Sequence, residues 1–480
     1  MKKAFFATVI MIFMFCTLTM SANARSYRER ARATYDATIA TYDATIKAHC
    51  NTESRDIVVS LTKDRSSSGQ TPQTFTSLTG SHTFTVPSTD TNGHPFTQWS
   101  NGATSTTITL TSAGTYTANY QASTSYTYTY TVATLAELTS VISKVVPGDT
   151  VLIRGGIYQP TSPIIFRISG TSGSPITYEA YPNEKVIFDG SLTTDASLGG
   201  DGSWEPPMIY VYKGCNWNIF RNIEIRYSAG SGITMWGDDN VLDHVEVDHN
   251  KGIGALAYGD RCKFLYCIAH DNIDTQHSPP GQDADGLGAG EDCDDVNYVA
   301  SGCYFLGCLC YGNSDDGIDC LGSTGNTIEK CVCHHNGLLQ GDGRGFVLAT
   351  GGSNHASKCI AYNNAKFGFA DDDTPAPNNI IDHCTAYNNG KAGFLSNMKS
   401  IDIGTFTNNI GTLVVYDAVP IQHYNTWNLG ITNYGFVSTD STSVDFLSLL
   451  VNSLCRSKAS DGSDLGALQY GERISDLLGT

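Results

Sequence analysis

A short frame that ends in asparagine recurs along the second half of the chain and constrains the fold more than any other feature. Successive asparagines of the frame are 22, 41, 23, 28 and 25 residues apart. Repeats of this length are typical of solenoids, in which each unit buries its apolar face only against its neighbours. The six copies are VEVDHN at 245–250, CIAHDN at 267–272, CLCYGN at 308–313, CVCHHN at 331–336, CIAYNN at 359–364 and CTAYNN at 384–389.

A second marker, glycine followed by an apolar residue, accompanies the frames, as at Gly286-Leu287, Gly317-Ile318 and Gly345-Phe346. Each repeat therefore gives a strand, an asparagine turn and a second strand. Stacked repeats place parallel strands about 4.8 Å apart. We predict an all-β chain with a right-handed parallel β-helix over residues 126–435. The asparagines would stack as an internal ladder, and a short helix in LAELTSVI would cap the open end.

The remaining segments suggest an exported protein with a small accessory module. Residues 1–24 have the pattern of a secretory signal: two lysines, an apolar stretch and an A-x-A site. Residues 25–49 carry a tandem ATYDATI repeat, interpreted as a short helix or a disordered leader. Residues 50–122 alternate with period two and predict a small β-sandwich, which resembles the Ig-like modules of secreted bacterial carbohydrate enzymes. Residues 436–480 are expected to form a C-terminal extension packing on the β-helix.

The charge balance limits the partners that we expect. Asp and Glu number 47 against 29 Lys and Arg, a formal charge of −18, and no basic patch suggests nucleic acid. No apolar run after the signal is long enough to span a bilayer, so we expect an extracellular monomer without a membrane partner. An acidic polymer would be repelled at long range. A bound cation or a local basic group would then have to reverse the field at its site.

The cysteines allow two interpretations. Cys-x-Cys pairs at 308/310 and 331/333, followed by two histidines, are compatible with zinc binding or disulfides. The repeat register instead favours a reduced core ladder, because five cysteines sit five residues before their asparagine and so face the core of successive coils. They are Cys267, Cys308, Cys331, Cys359 and Cys384. An isolated disulfide involving Cys50 or Cys455 stays open.

The same register gathers acidic residues. The residue before the marker glycine is Asp285, Asp316 and Arg344 in successive coils, so these side chains should stack on one face, with Asp315 and Asp319 beside Asp316. Four carboxylates at such short distances from one another would raise one another's pKa. A divalent cation would remove that cost, and oxygen-only ligands favour Ca²⁺ over zinc. The alternatives are a solvated acidic turn and a Ca²⁺ ion with a purely structural role.

These segments carry a family resemblance. DADGLGAG, NSDDGID and GDGRGF, with the intervening frames, resemble the core of the family-9 polysaccharide lyases, which are secreted β-helix pectate lyases; the likeness runs from about residue 148 to the C-terminal region. The resemblance implies that Asp285, Asp315, Asp316 and Asp319 bind a catalytic Ca²⁺. It also implies β-elimination on an acidic, pectin-type polysaccharide.

One departure affects the expected chemistry. The family pattern G-N-G-F-K-L-G-G contains the catalytic lysine, but this chain has Val347 at that position and Arg344 in place of the asparagine. Other pectate lyase families use an arginine as base, so Arg344 is the first candidate and Lys366, one coil further on, the second. Two alternatives remain: an inactive β-helix that binds acidic polysaccharide through Ca²⁺, and a β-helix glycoside hydrolase with paired aspartates. The second ranks last because the histidine and the Arg-x-Lys segment of those enzymes are absent.

Overall fold

The structure is a computed structural model in two units, residues 1–126 and 127–480. It describes residues 41–50, 55–91, 95–120, 127–199, 206–276, 278–290, 299–349, 351–371, 378–397, 404–416 and 418–479. The expected signal segment, residues 1–24, and most of the expected leader lie outside these residues.

The first unit contains two sheets that share one apolar core, in which Phe84, Trp99 and Tyr120 are fully buried. One sheet is formed by Tyr42–Cys50, Arg55–Ile57, Gln73–Leu78, Phe96–Trp99 and Gly114–Tyr120. The other is formed by Ser60–Lys63, Ser66–Gln70, His82–Thr85 and Thr107–Leu110.

The sandwich begins earlier in the chain than the sequence analysis placed it. The second ATYDATI copy enters strand Tyr42–Cys50, which pairs with Gly114–Tyr120 and with Gln73–Leu78. Its alternate residues, from Tyr42 to Cys50, are buried. The expectation of a separate leader up to residue 49 is therefore wrong for residues 42–49, because their period-two burial is that of a strand with one face on the core.

The second unit is the predicted parallel β-helix, with strands in three sheets where the repeat pattern predicted two strands per repeat. The first sheet contains Thr129–Val132, Thr150–Ile153, Ile176–Ala180, Asn218–Arg221, Val241–Asp243, Lys263–Leu265, Tyr304–Leu306, Thr327–Glu329, His355–Ser357, Ile380–Asp382, Thr405–Thr407 and Ile421–His423. The second contains Gly156–Tyr158, Val186–Asp189, Ile223–Arg226, Glu246–Asp248, Ile268–His270, Leu309–Tyr311, Val332–His334, Ile360–Tyr362 and Thr385–Tyr387. The third contains Ile164–Phe166, Ile209–Val211, Ile233–Met235, Ala255–Ala257, Leu287–Ala289, Ile318–Asp319, Arg344–Val347, Phe367–Asp371, Ala392–Ser396 and Leu413–Val415.

The frame asparagines form the predicted ladder at the turn that leaves the second sheet. Each side-chain amide donates to the carbonyl oxygen of the next one, at 2.9–3.0 Å, from Asn250 through Asn272, Asn313, Asn336 and Asn364 to Asn389. The residue before each asparagine has a left-handed backbone, as at Gly312 with φ 66° and His335 with φ 56°. This conformation explains why His, Asp, Asn or Gly occupies that position.

The cysteines of the coils behave as core residues. All thirteen cysteines in the described ranges are buried, and twelve of them are free, including Cys455, for which a disulfide was left open. Burial raises the pKa of the Cys331 and Cys359 thiols well above the ordinary value. Stacked phenylalanines fill the space beside them, with Phe346 and Phe369 rings 4.7 Å apart. The core-ladder prediction is confirmed.

Other elements cover the ends and one side of the β-helix. Helix Leu135–Ile142 buries Leu138 and Val141 on the first coils, and its N-cap Thr134 accepts from Glu137 N. Residues near the C-terminus, including Phe446 and Leu468, pack on the outer side of the second sheet. The short helices are Asp195–Leu198, Thr426–Leu429 and Ile474–Leu478, with a 3-10 turn at Gly190–Leu192. None of the helices in the described residues has the length and apolar content needed to cross a bilayer.

Candidate functional site

An acidic groove lies where the chain passes from the second to the third sheet. Asp285, Asp316 and Arg344 occupy the same position in three successive coils. Asp316 N donates to Asp285 Oδ1 at 2.9 Å, and Arg344 N donates to Asp316 Oδ1 at 2.5 Å. Each carboxylate is therefore fixed by a backbone amide of the following coil, and the side chains stack on one face.

Three of the four predicted carboxylates meet. One oxygen each from Asp285, Asp316 and Asp319 lie within 4.8 Å of one another. Asp315 lines the same groove but lies outside this trio, because its Oδ1 accepts a hydrogen bond from Asp342 N in the next coil. The four predicted carboxylates therefore line one groove, in which three of them converge and Asp315 is hydrogen-bonded to the neighbouring turn.

Burial and mutual repulsion make the trio costly without a cation. Asp285 and Asp316 are 6% and 2% exposed. Burial, and then the charges of the neighbouring aspartates, raise the pKa of both carboxyls well above the ordinary value. Burial also raises the pKa of Asp315 to about 7, with Asp319 adding to the effect.

A small network of ion pairs crosses the edge of the groove. Arg344 Nη2 lies 2.7 Å from Asp342 Oδ2, and Arg344 Nη1 lies 3.6 Å from Asp316 Oδ2. Lys366 Nζ reaches the other Asp342 oxygen at 2.6 Å. Although burial raises the pKa of Asp342, the hydrogen bond from Lys366 and the charge of Arg344 outweigh it and lower that pKa. Asp342 therefore orients both candidate bases.

Val347 occupies the floor of the groove. It is 1% exposed, and in the third sheet it pairs with Asp319 of the preceding coil. A longer side chain at this position would start beside the trio, which is where the family's lysine is expected. The groove encloses about 440 Å³, and its lining consists of Ile253, Gln282, Asp283, Asp285, Asp315, Asp316, Asp319, Leu321, Asp342, Arg344 and Val347.

The residues present fit a hard divalent cation. The trio offers only carboxylate oxygens, and neither histidine nor cysteine lines the groove among the described residues. Calcium prefers six to eight oxygen ligands, which carboxylates and water supply. A cation would also relieve the repulsion that holds the pKa values of Asp285 and Asp316 high.

Sequence analysis missed some of the groove. It assigned no role to Asp342, although this residue stands two positions before Arg344 in GDGRGF. Gln282 and Asp283 also line the groove, and they come from the long insertion between the second and third asparagine frames. The length of this insertion predicts its place in the groove, because excursions from a solenoid often lie on its binding face.

Comparisons with known proteins match the β-helix. The family model described as Pel9A-like, right handed beta helix region, matches residues 115–409. A pectate lyase L of Paenibacillus polymyxa is 30% identical over 275 residues, which are 50% of this chain and 56% of that protein. A pectate lyase L of Dickeya chrysanthemi is 26% identical over 328 residues, which are 63% of this chain and 73% of that protein.

Solved structures agree on the fold. The crystal structure of pectate lyase Pel9A superposes with a TM-score of 0.60 at 23% identity, covering 72% of this chain and 96% of that one. A rhamnogalacturonan lyase superposes with a TM-score of 0.55 at 19% identity, covering 72% and 97%. The family match spans more than half of the sequence, and the observed coils have the same architecture. The chain therefore belongs to the Pel9A-like family of right-handed β-helix proteins.

Proposed function

We propose that the protein is a secreted, Ca²⁺-dependent polysaccharide lyase that cleaves an acidic, pectin-type polymer by endo β-elimination. The observation that carries this proposal is the groove in which Asp285, Asp316 and Asp319 meet beside Arg344. Relatives over the β-helix are pectate lyases, and residues 1–24 have the pattern of a secretory signal. The protein would act on its polymer as a monomer.

The three aspartates would hold the ion through their carboxylate oxygens. When bound, Ca²⁺ would neutralise the substrate carboxylate next to C5 and stabilise the negative charge that develops there. In the elimination, the C5–H and C4–O bonds break, a C4=C5 double bond forms, and the departing oxygen takes up a proton. The chain must therefore supply a base for the C5 proton.

Arg344 is the first candidate for that base, because its guanidinium lies in the groove beside the trio. Its contacts with Asp342 and Asp316 also stabilise the protonated guanidinium, whereas an arginine that acts as a base must first lose that proton. The same geometry suits a clamp on a second substrate carboxylate. Lys366 is the second candidate, since its Nζ contacts the opposite oxygen of Asp342.

A second function is favoured by Val347. Valine cannot accept a proton, so the groove would then bind acidic polysaccharide through Ca²⁺ without cleaving it. The Val347→Lys variant separates the two possibilities, because it would place an amine beside Asp319. Wild-type protein that is inactive and is rescued by this change would be a binding protein descended from a lyase.

The test uses the purified full chain on polygalacturonate, methyl-esterified pectin, rhamnogalacturonan and alginate, with Ca²⁺ or with EDTA. Ultraviolet absorbance of unsaturated ends on a pectin-type polymer, lost with EDTA, is the expected result. New reducing ends without unsaturation would show hydrolysis and overturn the proposal. Calcium-dependent retention in affinity electrophoresis, with no product on any polymer, would support the binding protein instead.

A further inference from the structure

A second cluster of metal-ligand side chains lies on the outer face of the second sheet, formed by Glu246, Asp248 and His270. One ligand atom from each lies within 4.8 Å of the other two. Glu246 and Asp248 are the first and last residues of one strand, and His270 pairs in register with Asp248 from the next coil. Because alternate residues of a strand share a face, the two carboxylates and the imidazole lie side by side.

Asp248 is the member of the cluster that most needs a cation. It is 5% exposed, and its Oδ1 has no hydrogen-bond partner in the described part of the chain. Its Oδ2 accepts from His249 Nδ1 at 2.6 Å. Burial, and then the charge of Glu224, raise the pKa of Asp248. An unpaired carboxylate oxygen in a buried position is expensive unless a cation or a donor satisfies it.

His270 has the orientation of a metal ligand. Its Nδ1 lies 2.8 Å from Asp271 Oδ2, and its Nε2 lies 3.2 Å from Glu246 Oε1. Histidine ligands usually donate the other ring N–H to a carboxylate, which fixes the tautomer and the ring plane. Asp271 would perform this role and leave Nε2 directed toward Glu246.

The charges around the cluster do not balance. The two permanent cations nearby, Lys185 and Arg226, both pair with Glu224, and Arg226 also pairs with Asp189. Lys185 Nζ reaches Glu246 only at 3.8 Å. The excess negative charge therefore remains on the cluster. The carboxylates are Asp189, Glu224, Glu246, Asp248 and Asp271, the permanent cations are Lys185 and Arg226, and the imidazoles beside them are His249 and His270.

We propose that Glu246, Asp248 and His270 form a zinc site that is separate from the acidic groove. One imidazole with two carboxylates is a ligand set that suits Zn²⁺, whereas the oxygen-only trio suits Ca²⁺. Three protein ligands leave a position for water, and the 37% exposure of the Glu246 side chain gives access. The ion would link two adjacent coils just before the insertion that enters the groove.

The test is a calorimetric titration of the chelator-treated full chain with Zn²⁺ in excess Ca²⁺, so that the groove does not compete. We expect one Zn²⁺ per chain with a Kd below about 10 μM, and a loss of at least about 10-fold in affinity for His270→Gln and for Asp248→Asn. The control is His49→Gln, since His49 Nδ1 pairs with Asp56 at 2.9 Å in the first unit and belongs to none of the clusters found in the described residues. This variant should bind zinc as the wild type does.

A thermal measurement gives an independent reading. Saturating Zn²⁺ should raise the Tm of the wild type by a few degrees and leave that of His270→Gln unchanged, because only a ligand that binds the folded state stabilises it. Circular dichroism identifies a variant that has not folded, and Asp248→Asn then carries the test. Absence of saturable zinc binding, or equal affinity in the wild type and both variants, would overturn the proposal.

Discussion

Two stacks of side chains run through the same coils, the asparagine ladder in the turn and the aspartate trio in the groove. An amide both donates and accepts, so Asn313 accepts from Asn272 and donates to Asn336. A carboxylate only accepts, so Asp285 and Asp316 depend on backbone amides of the next coil. The ladder satisfies itself, whereas the trio retains charge that a cation must offset.

The largest expected effect comes from placing a carboxylate in the ladder. Asn336→Asp would remove the amide that donates to Asn364 Oδ1 at 3.0 Å and would bury a charge at 1% exposure. We expect a loss of about 3 kcal/mol or more in the free energy of unfolding. Urea denaturation measures it, and Asn388→Asp is the control, since Asn388 is exposed and directly precedes the ladder residue Asn389. Equal stability of the two variants would show that the ladder tolerates charge.

The converse change removes a charge from the trio. Asp316→Ala should weaken Ca²⁺ binding at least about 100-fold, or ~2.7 kcal/mol, because Asp316 supplies one of the three converging carboxylates and is nearly buried. Calorimetry measures the affinity. His270→Gln should retain it, since that residue belongs to the other cluster. Unchanged Ca²⁺ affinity in Asp316→Ala would contradict the assignment of the groove as a calcium site.

The next prediction concerns the role of the Arg344 guanidinium beside the trio. Arg344→Ala should leave Ca²⁺ affinity intact and lower turnover at least about 100-fold, the usual scale for loss of a general base. Arg261→Ala is the matched control, because Arg261 also sits among aspartates, 2.8 Å from Asp239, but outside the groove. The pH–rate profile separates the roles: loss of a base alters its shape, whereas loss of a clamp lowers the rate at every pH.

If the wild type is active and Arg344→Ala does not lower turnover, Lys366 becomes the candidate base. In that case Lys366→Ala should lower turnover by the same factor. Arg344→Lys should keep part of the activity if Arg344 is the base, because lysine deprotonates more readily than arginine.

The buried carboxylates of the groove should also make stability depend on pH, unlike the ladder. The folded-state pKa values of Asp285, Asp315 and Asp316 are raised, so the folded state holds these protons more tightly than the unfolded state. Their contribution is complete below the ordinary aspartate value of 3.8 and is lost as the pH rises through the folded values, about 7 for Asp315. In EDTA, the Tm of the wild type relative to Asp316→Ala should therefore fall between about pH 4 and pH 7. Calcium should abolish this fall, and a slope that Ca²⁺ leaves unchanged would contradict the reasoning.

The smallest effect is expected in the thiol stack, which carries no charge at all. Cys331, Cys359 and Cys384 are fully buried, so they should react with a thiol reagent only after denaturation. Cys359→Ala should lower stability by roughly 1 kcal/mol, the scale for removing one small buried group. It should leave the zinc content unchanged. Rapid native labelling, or zinc that is lost with Cys359, would contradict the core interpretation.

Much of the β-helix was predictable because a stacked coil places the same position of each repeat above the last. From the sequence, that rule predicts the asparagine ladder, the buried cysteines and the column of Asp285, Asp316 and Arg344. It did not reach strand Tyr42–Cys50, whose partner Gly114–Tyr120 lies far along the chain. Strand pairing over that distance leaves no local mark beyond period-two alternation, and the tandem repeat was interpreted as a leader instead.

The repeat pattern alone established the architecture, the core faces and the acidic column, since a solenoid period dictates which residues share a face. Contacts between coils decided the rest. Asp315 turns toward Asp342 N, and Asp342 joins Arg344 to Lys366, because turns of unequal length are brought against one another. A period does not specify how such turns meet, because their geometry depends on insertions and on which donors the next coil presents to a buried carboxylate.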